Sequence, residues 1–261
     1  YQYSYDWPVT YQKNNNLSAA ELEDYINHTF LQSGKTAPVA LNNDGRVLMN
    51  SNGTPVHVVY NYVDGSQTYT FQGGDAIYED VNHDGQINSL DVVYLGSANP
   101  KVNGGFGLNF FYGKWSLRTS FNFRFGNKIV NSARMNLEKM FDAYNQSSAV
   151  NWRWRKNGDI TEIPRAMYNC GYNFLGSDRY VEDGSFVRFQ YMQIQYKFAP
   201  KYLKTIGLNN LTFSASANNL YCWSKYSGTD PEHSPGSWGI CYDNSQTPRS
   251  KSFTVGINVE F

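Results

Sequence analysis

The 261-residue chain has no surplus charge: 22 Lys and Arg balance 22 Asp and Glu. A nucleic-acid binder normally carries a basic excess, so that class is excluded. Cysteine is scarce and odd in number. Cys170, Cys222 and Cys241 give no disulfide framework, and Cys222 and Cys241 are equally compatible with a bridge around a loop or with free thiols. No apolar run approaches the ~18 residues that a membrane-crossing helix needs, and the mean hydropathy is -0.56. That excludes a helical membrane protein but not a barrel, where only alternate strand residues meet lipid. No signal peptide opens the chain, which starts at Tyr1 rather than Met, as expected of a processed chain or a fragment. Catalytic groupings are missing as well. His28, His57, His83 and His233 have no recognisable partner spacing and no Gly-x-Ser-x-Gly elbow is present, so the chain is read as non-enzymatic.

Aromatic residues, by contrast, make up 16% of the chain, with 21 Tyr, 16 Phe and 6 Trp. Such enrichment suits strands and surfaces where a ring is dry at one end and wet at the other. The last eleven residues, Lys251 to Phe261, set the pattern. Phe253, Val255, Ile257, Val259 and Phe261 fall on one side of an extended chain, and Ser252, Thr254, Gly256, Asn258 and Glu260 on the other. A tilted strand of this length rises roughly 25 Å, about the apolar band of an outer-membrane barrel. The same alternation marks a hairpin. Phe106, Leu108, Phe110 and Tyr112 precede the Gly113-Lys114 turn, and Trp115, Leu117, Thr119, Phe121, Phe123 and Phe125 follow it. Arg118 and Arg124 occupy the opposite, polar face, which a barrel would turn to a wet lumen. Further strands are expected at 185–198 and 211–223. In the former, the alternation fails upstream because Arg188 and Gln190 fall on the apolar side, as expected where a strand projects beyond a bilayer. Connections alternate between short and long, and outer-membrane barrels share that asymmetry.

A second signal lies at 80–91, where Asp80, Asn82, Asp84, Asn88 and Asp91 place side-chain oxygens at loop positions 1, 3, 5, 9 and 12. Gly85 stands at position 6, where the loop must turn sharply, and Gln86 offers its main-chain carbonyl. Ca2+ takes six to eight oxygens, and this spacing wraps them around one point. Asp at position 12 in place of the usual Glu resembles dockerin-type loops. No second helix follows, so a structural ion that stiffens a loop is expected, not a signalling site.

The remaining segments are less explicit. Ser18 and Glu21 have capping-box spacing before a helical pattern from Ala19 to Leu31. Short strands are expected at Val56–Tyr62 and Thr68–Phe71, and a helix within Val130–Tyr144. Trp152 and Trp154, interleaved with Arg153 and Arg155, and Trp238 in a later loop are candidates to stack on a sugar ring or a peptide.

Several segments together resemble the C-terminal end of the SusC/RagA family of TonB-dependent outer-membrane transporters of Bacteroidetes. They are Gly74-Asp75 with the 80–91 loop, Asn99-Pro100, Gly107-Leu108-Asn109, the run Ser177 to Arg188, Ala217 to Leu220, Lys225 to Glu232, and Pro248-Arg249-Ser250. Residues 1–73 match poorly. The resemblance implies an all-β fold, an antiparallel transmembrane β-barrel of about 22 strands with long extracellular loops. On this reading 1–105 is an extracellular loop region carrying the calcium loop. Residues 106–261 supply C-terminal barrel strands at 106–112, 115–125, 185–198, 211–223 and 251–261, with extracellular loops at 126–184 and 224–250. Five strands leave two open edges, so plug and TonB-contacting segment are expected upstream. The resemblance further implies residence in the cell outer membrane with the C-terminus at the periplasmic side. It implies a SusD/RagB-like lipoprotein partner, TonB, and import of oligosaccharides or oligopeptides. The competing expectation is a secreted β-rich glycan-binding module with a structural calcium loop.

Overall fold

A computed structural model describes residues 39–261 apart from 62–67, 77, 157–158, 160, 204–206 and 237–238. The helix expected at Ala19–Leu31 and the candidate Trp238 lie outside the described residues. The chain divides into two compact units, one comprising residues up to 95 with 134–179, the other 96–133 with 180–261.

In the second unit, alternation of apolar and polar side chains produces five long antiparallel strands. They are β4 (Val102–Tyr112), β5 (Trp115–Phe125), β8 (Phe186–Lys197), β9 (Asn210–Ser224) and β10 (Ser252–Glu260). Their order in the sheet is β10-β9-β8-β5-β4, so β4 and β10 form the two open edges. The first strand begins at Val102, before the apolar alternation is visible, because Asn103, Gly104 and Gly105 pair with Arg124, Phe123 and Asn122 without side chains that mark a face. Gly113 turns the β4–β5 hairpin at a positive φ of 57°, a conformation most side chains disfavour.

Directly opposed residues in an antiparallel pair share a face, so the register sorts the whole sheet. One row runs Leu108, Thr119, Met192, Ala217, Phe253; the next runs Phe110, Leu117, Ile194, Ala215, Val255. A third holds Tyr112, Trp115, Tyr196, Phe213 and Ile257. The opposite face carries Asn109, Arg118, Gln193, Ser216 and Thr254, with Ser120, Tyr191, Asn218 and Ser252 beside them.

The expectation that Arg188 and Gln190 fall on the apolar side is corrected here. Ser120 pairs with Tyr191 but Phe121 with Phe189, which leaves Gln190 as a bulge on β8. One extra residue reverses the phase of the strand. Phe189 joins Phe121 on the apolar face, their rings stacked at 4.5 Å, and Arg188 turns to the polar face opposite Asn122. β9 is irregular at the same level, where Asn219 adopts a φ of 52°.

Small elements surround one end of this sheet. β6 (Lys128–Val130) pairs antiparallel with β7 (Val181–Asp183), and Val130 also bridges to Tyr242. Ile129, Tyr226 and Cys241 form a small core there. All three cysteines are free. At the other end, α2 (Pro200–Leu203) lies in the link between β8 and β9.

The first unit is built from β1 (Val59–Asn61), β2 (Thr68–Thr70) and β3 (Gln86–Ile87), in the order β2-β1-β3. Phe71, Ala76, Tyr78 and Ile87 form its core, with Tyr172 and Leu175 packed on it. Residues 134–179 therefore share a unit with the segment around the acidic loop, although by sequence they read as an excursion between strands. The helix expected within Val130–Tyr144 is α1 (Ser132–Glu138), which spans the unit boundary; Met140 at φ 46° stands just beyond its end. Asp75 anchors this unit. Its buried carboxylate accepts from Arg165 Nε at 2.6 Å, from the Tyr69 hydroxyl at 2.7 Å and from the Gln72 amide at 2.8 Å. Burial, together with the Asp75 carboxylate, pushes the Tyr69 phenol well above its ordinary value.

Candidate functional site

Among the described residues, much of the apolar face of the five-stranded sheet is left uncovered. Phe253, Val255 and Ile257 are 74%, 68% and 67% exposed, and Phe106, Leu108, Phe110 and Phe213 are exposed as well. Water-soluble monomers rarely leave contiguous apolar patches beyond a few hundred Å² uncovered. Aromatic rows flank the more aliphatic middle, Phe106, Phe121, Phe189 and Tyr221 toward one end and Tyr112, Trp115, Tyr196 and Phe213 toward the other. This surface is apolar in its middle and ring-rich at its borders.

On the polar face, the segment 225–250 is held by a buried group of charges that sequence inspection did not single out as a site. Arg188, only 5% exposed, donates from Nη2 to Asp230 Oδ1 at 2.5 Å, and its Nε lies 3.1 Å from Glu232 Oε2. Glu232 Oε1 accepts from Arg249 Nη2 at 2.9 Å. Arg124 donates to the His233 carbonyl at 2.6 Å, and both guanidinium groups lie over the Phe186 ring, 5.6 and 5.8 Å from its centroid. Further along, the Tyr226 hydroxyl donates to Asp243 Oδ2 at 2.6 Å, and Ser227 binds Glu182 through amide and hydroxyl. Burial and the neighbouring Asp243 carboxylate push the Tyr226 phenol upward. A signal for this cluster existed. Arg188, Asp230, Glu232 and Arg249 sit in the separate runs Ser177 to Arg188, Lys225 to Glu232 and Pro248 to Ser250, and the fold brings them together.

The acidic loop has the turn its spacing demands. Gly85 takes a φ of 82°, so a side chain there would be strained, and its Cβ would also crowd Val56 at 2.9 Å. Asp80 Oδ2 accepts from the Gly85 amide at 2.7 Å and Oδ1 from the Asp84 amide at 3.2 Å. Asn82 and Asp84 accept from the amides of Asp84 and Gln86. Asp91 is buried and accepts from Val81 and Asn88 amides at 2.9 and 2.8 Å, closing the loop. The Gln86 side-chain oxygen accepts from Asn61 at 2.6 Å, which turns it away from the loop. Burial pushes the Asp80 carboxyl above its ordinary value against the Gly85 and Asp84 amide bonds, and repulsion from Asp91 and Asp84 adds to the rise. Among the described residues no three His, Cys, Asp or Glu side chains converge on one metal-sized point. Asn82, Asn88 and the Gln86 carbonyl would therefore have to complete any oxygen shell.

The tryptophans part company. Trp154 packs on Gly74, where a Cβ would collide with its ring, and so serves the unit's interior. Trp152 is 80% exposed and lines an open cleft of about 380 Å³ with Arg134, Glu138, Thr161, Glu162 and Arg179. Glu138 is the centre of that cleft's charge, paired to Arg134 at 2.9 Å and Arg179 at 3.1 Å.

No protein-family model matches the chain. Curated relatives do. TonB-dependent receptor P39 of Formosa agariphila is 30% identical over 199 residues, covering 73% of this chain and 19% of that protein. TonB-dependent receptor P26 of the same organism is 29% identical over 194 residues, covering 72% of this chain and 20% of that protein. The chain thus spans about a fifth of the length of the curated relatives it matches. Among solved structures, it resembles a chain of the RagAB peptide transporter with a TM-score of 0.62 and 21% identity, covering 72% of this chain and 21% of that one. A chain of the RagAB peptide importer in the closed-closed state gives a TM-score of 0.58 and 18% identity, over 87% of this chain and 22% of that one. By sequence, this chain is a homologue of about a fifth of the length of TonB-dependent receptors, and its fold is that of the matching part of a RagAB transporter chain.

Proposed function

We propose that the five-stranded sheet is part of the wall of a transmembrane β-barrel in an outer-membrane importer of the SusC/RagA type, whose remaining strands complete the two open edges. The uncovered apolar face carries this reading. Lipid solvates Phe253, Val255 and Ile257 where water would not, and backbone groups at open edges inside a bilayer need partner strands. The polar face then lines the lumen, and the Gly113-Lys114 turn and the 199–209 link lie at the periplasmic rim. A water-soluble glycan-binding module would expose the same face to water. TonB acts through a segment outside these residues, and a SusD/RagB-like lipoprotein covers the mouth. The cargo is an oligosaccharide or an oligopeptide. The complete receptor is expected in the outer-membrane fraction, and its deletion should abolish uptake of one labelled cargo class. Recovery of the receptor as a detergent-free soluble protein would contradict the proposal.

The acidic loop fits a structural calcium ion held by Asp80, Asn82, Asp84, the Gln86 carbonyl, Asn88 and Asp91. The ion would offset the mutual repulsion of the carboxylates and stiffen the turn. Replacing Asp80 and Asp84 together with alanine should remove one calcium per receptor, as measured by elemental analysis of the purified protein. Equal calcium in variant and parent would refute the site.

Of the two described candidates, Trp152 is the one exposed enough to stack on a pyranose or an aromatic residue of cargo. Trp152→Ala should weaken cargo binding by about tenfold in calorimetry, whereas an unchanged affinity would remove it from the binding surface.

A further inference from the structure

We infer that residues 225–236 and 239–250 form a constriction held against the polar face at one end of the sheet, and that Arg188, Asp230, Glu232 and Arg249 form the latch that holds it there. The inference rests on the barrel reading for the word lumen, but its geometry stands independently. An outward-projecting loop would leave its charges in solvent. Here Arg188, on the polar face by register with Asn122 and Cys222, is buried and grips Asp230 and Glu232 together. The two ends of the segment are tied by the other oxygens of the same two carboxylates: Asp230 Oδ2 accepts from the Arg249 amide at 3.3 Å, and Glu232 Oε1 pairs with the Arg249 side chain. The latch therefore closes the segment on itself and onto the wall in one neutral set of two cations and two anions. Arg124 adds a second attachment at the His233 carbonyl.

The consequence is directional. If the polar face lines a lumen, the segment sits at the end of the sheet where β8 begins and β5 and β9 end, and narrows the mouth of the passage there. Cargo must move over this segment or displace it. Arg188 is then a positioning residue: it sets where the constriction sits without any contact to cargo being required.

Cys222 is a native reporter, since it lies opposite Arg188 across the strand pair. Intact cells carrying the complete receptor would be treated with a membrane-impermeant maleimide, and modification at Cys222 followed by peptide mass spectrometry. Arg188→Met should be labelled roughly tenfold faster than the parent, with Arg118→Met, on the same face but outside the latch, at the parental rate. If Arg188→Met does not reach the surface, Arg249→Met, at the more exposed end of the latch, should show a smaller rise. A single Thr229→Cys substitution, beside the latch but outside it, should further allow a short bis-maleimide to join it to Cys222. Parental labelling rates in the latch variants, or no cross-link in surface-delivered Thr229→Cys, overturn the latch while leaving the barrel intact. A parent receptor absent from the outer membrane would instead overturn the barrel reading.

Discussion

Arginine in place of Val255 is expected to cost about 2–4 kcal/mol of folding stability in a bilayer, because a charge on the lipid face near mid-membrane must be dragged toward an interface. Val255 ends the row Phe110, Leu117, Ile194, Ala215, with Phe253 and Ile257 in the rows on either side, so its neighbours on that face of the sheet are apolar. The neighbouring Thr254 faces the other way, opposite Ser216. Thr254→Arg should therefore be nearly neutral, although the two positions are adjacent in sequence. Urea unfolding of the complete receptor in liposomes would measure both. Equal costs at 254 and 255 would mean that the two faces meet the same solvent.

Arg188→Met should destabilise the second unit by about 3–5 kcal/mol, since removing one member of a buried ion cluster strands its partners. Asp230 and Glu232 would be left with a single guanidinium, that of Arg249, which is itself half exposed. The penalty is a desolvation cost and not the strength of the pair, so the counter-variant is informative. Adding Asp230→Asn and Glu232→Gln to Arg188→Met should recover part of the loss, because the uncompensated charges go with it. A single Arg118→Met should change stability by far less, as Arg118 is exposed and bonds to Asn109 across the hairpin. Thermal unfolding in detergent, compared across the four proteins, would decide. No loss in Arg188→Met would show that the segment is held by other contacts.

Much of the sheet was legible in the sequence because a two-sided strand must alternate, and the register then follows from facing rows. The bulge was not legible. Gln190 looks like a loss of pattern unless the pairing of Phe121 with Phe189 is known, and the correct reading of Arg188 depends on it. The latch was hidden for a different reason: Arg188 and Asp230 lie 42 positions apart, and nothing local to either marks the other. The turn of the acidic loop was legible, since oxygen spacing and a glycine fix its path within twelve residues, and Gly85 at positive φ follows directly. Trp152 and Trp154 show the limit of such reading. Spaced two apart in the same aromatic and basic run, one is packed on Gly74 and the other lies open, a difference set by the fold of residues 39–95 and 134–179.

The most direct measurement is spin-label accessibility along positions 253–261 of the reconstituted receptor, one label at a time. Labels at 253, 255, 257 and 259 should collide preferentially with oxygen, which concentrates in hydrocarbon, and labels at 254, 256 and 258 with a water-soluble nickel chelate. Low accessibility to both reagents at 253, 255 and 257 would place those side chains inside protein, and the account of this sheet as a membrane wall would be wrong.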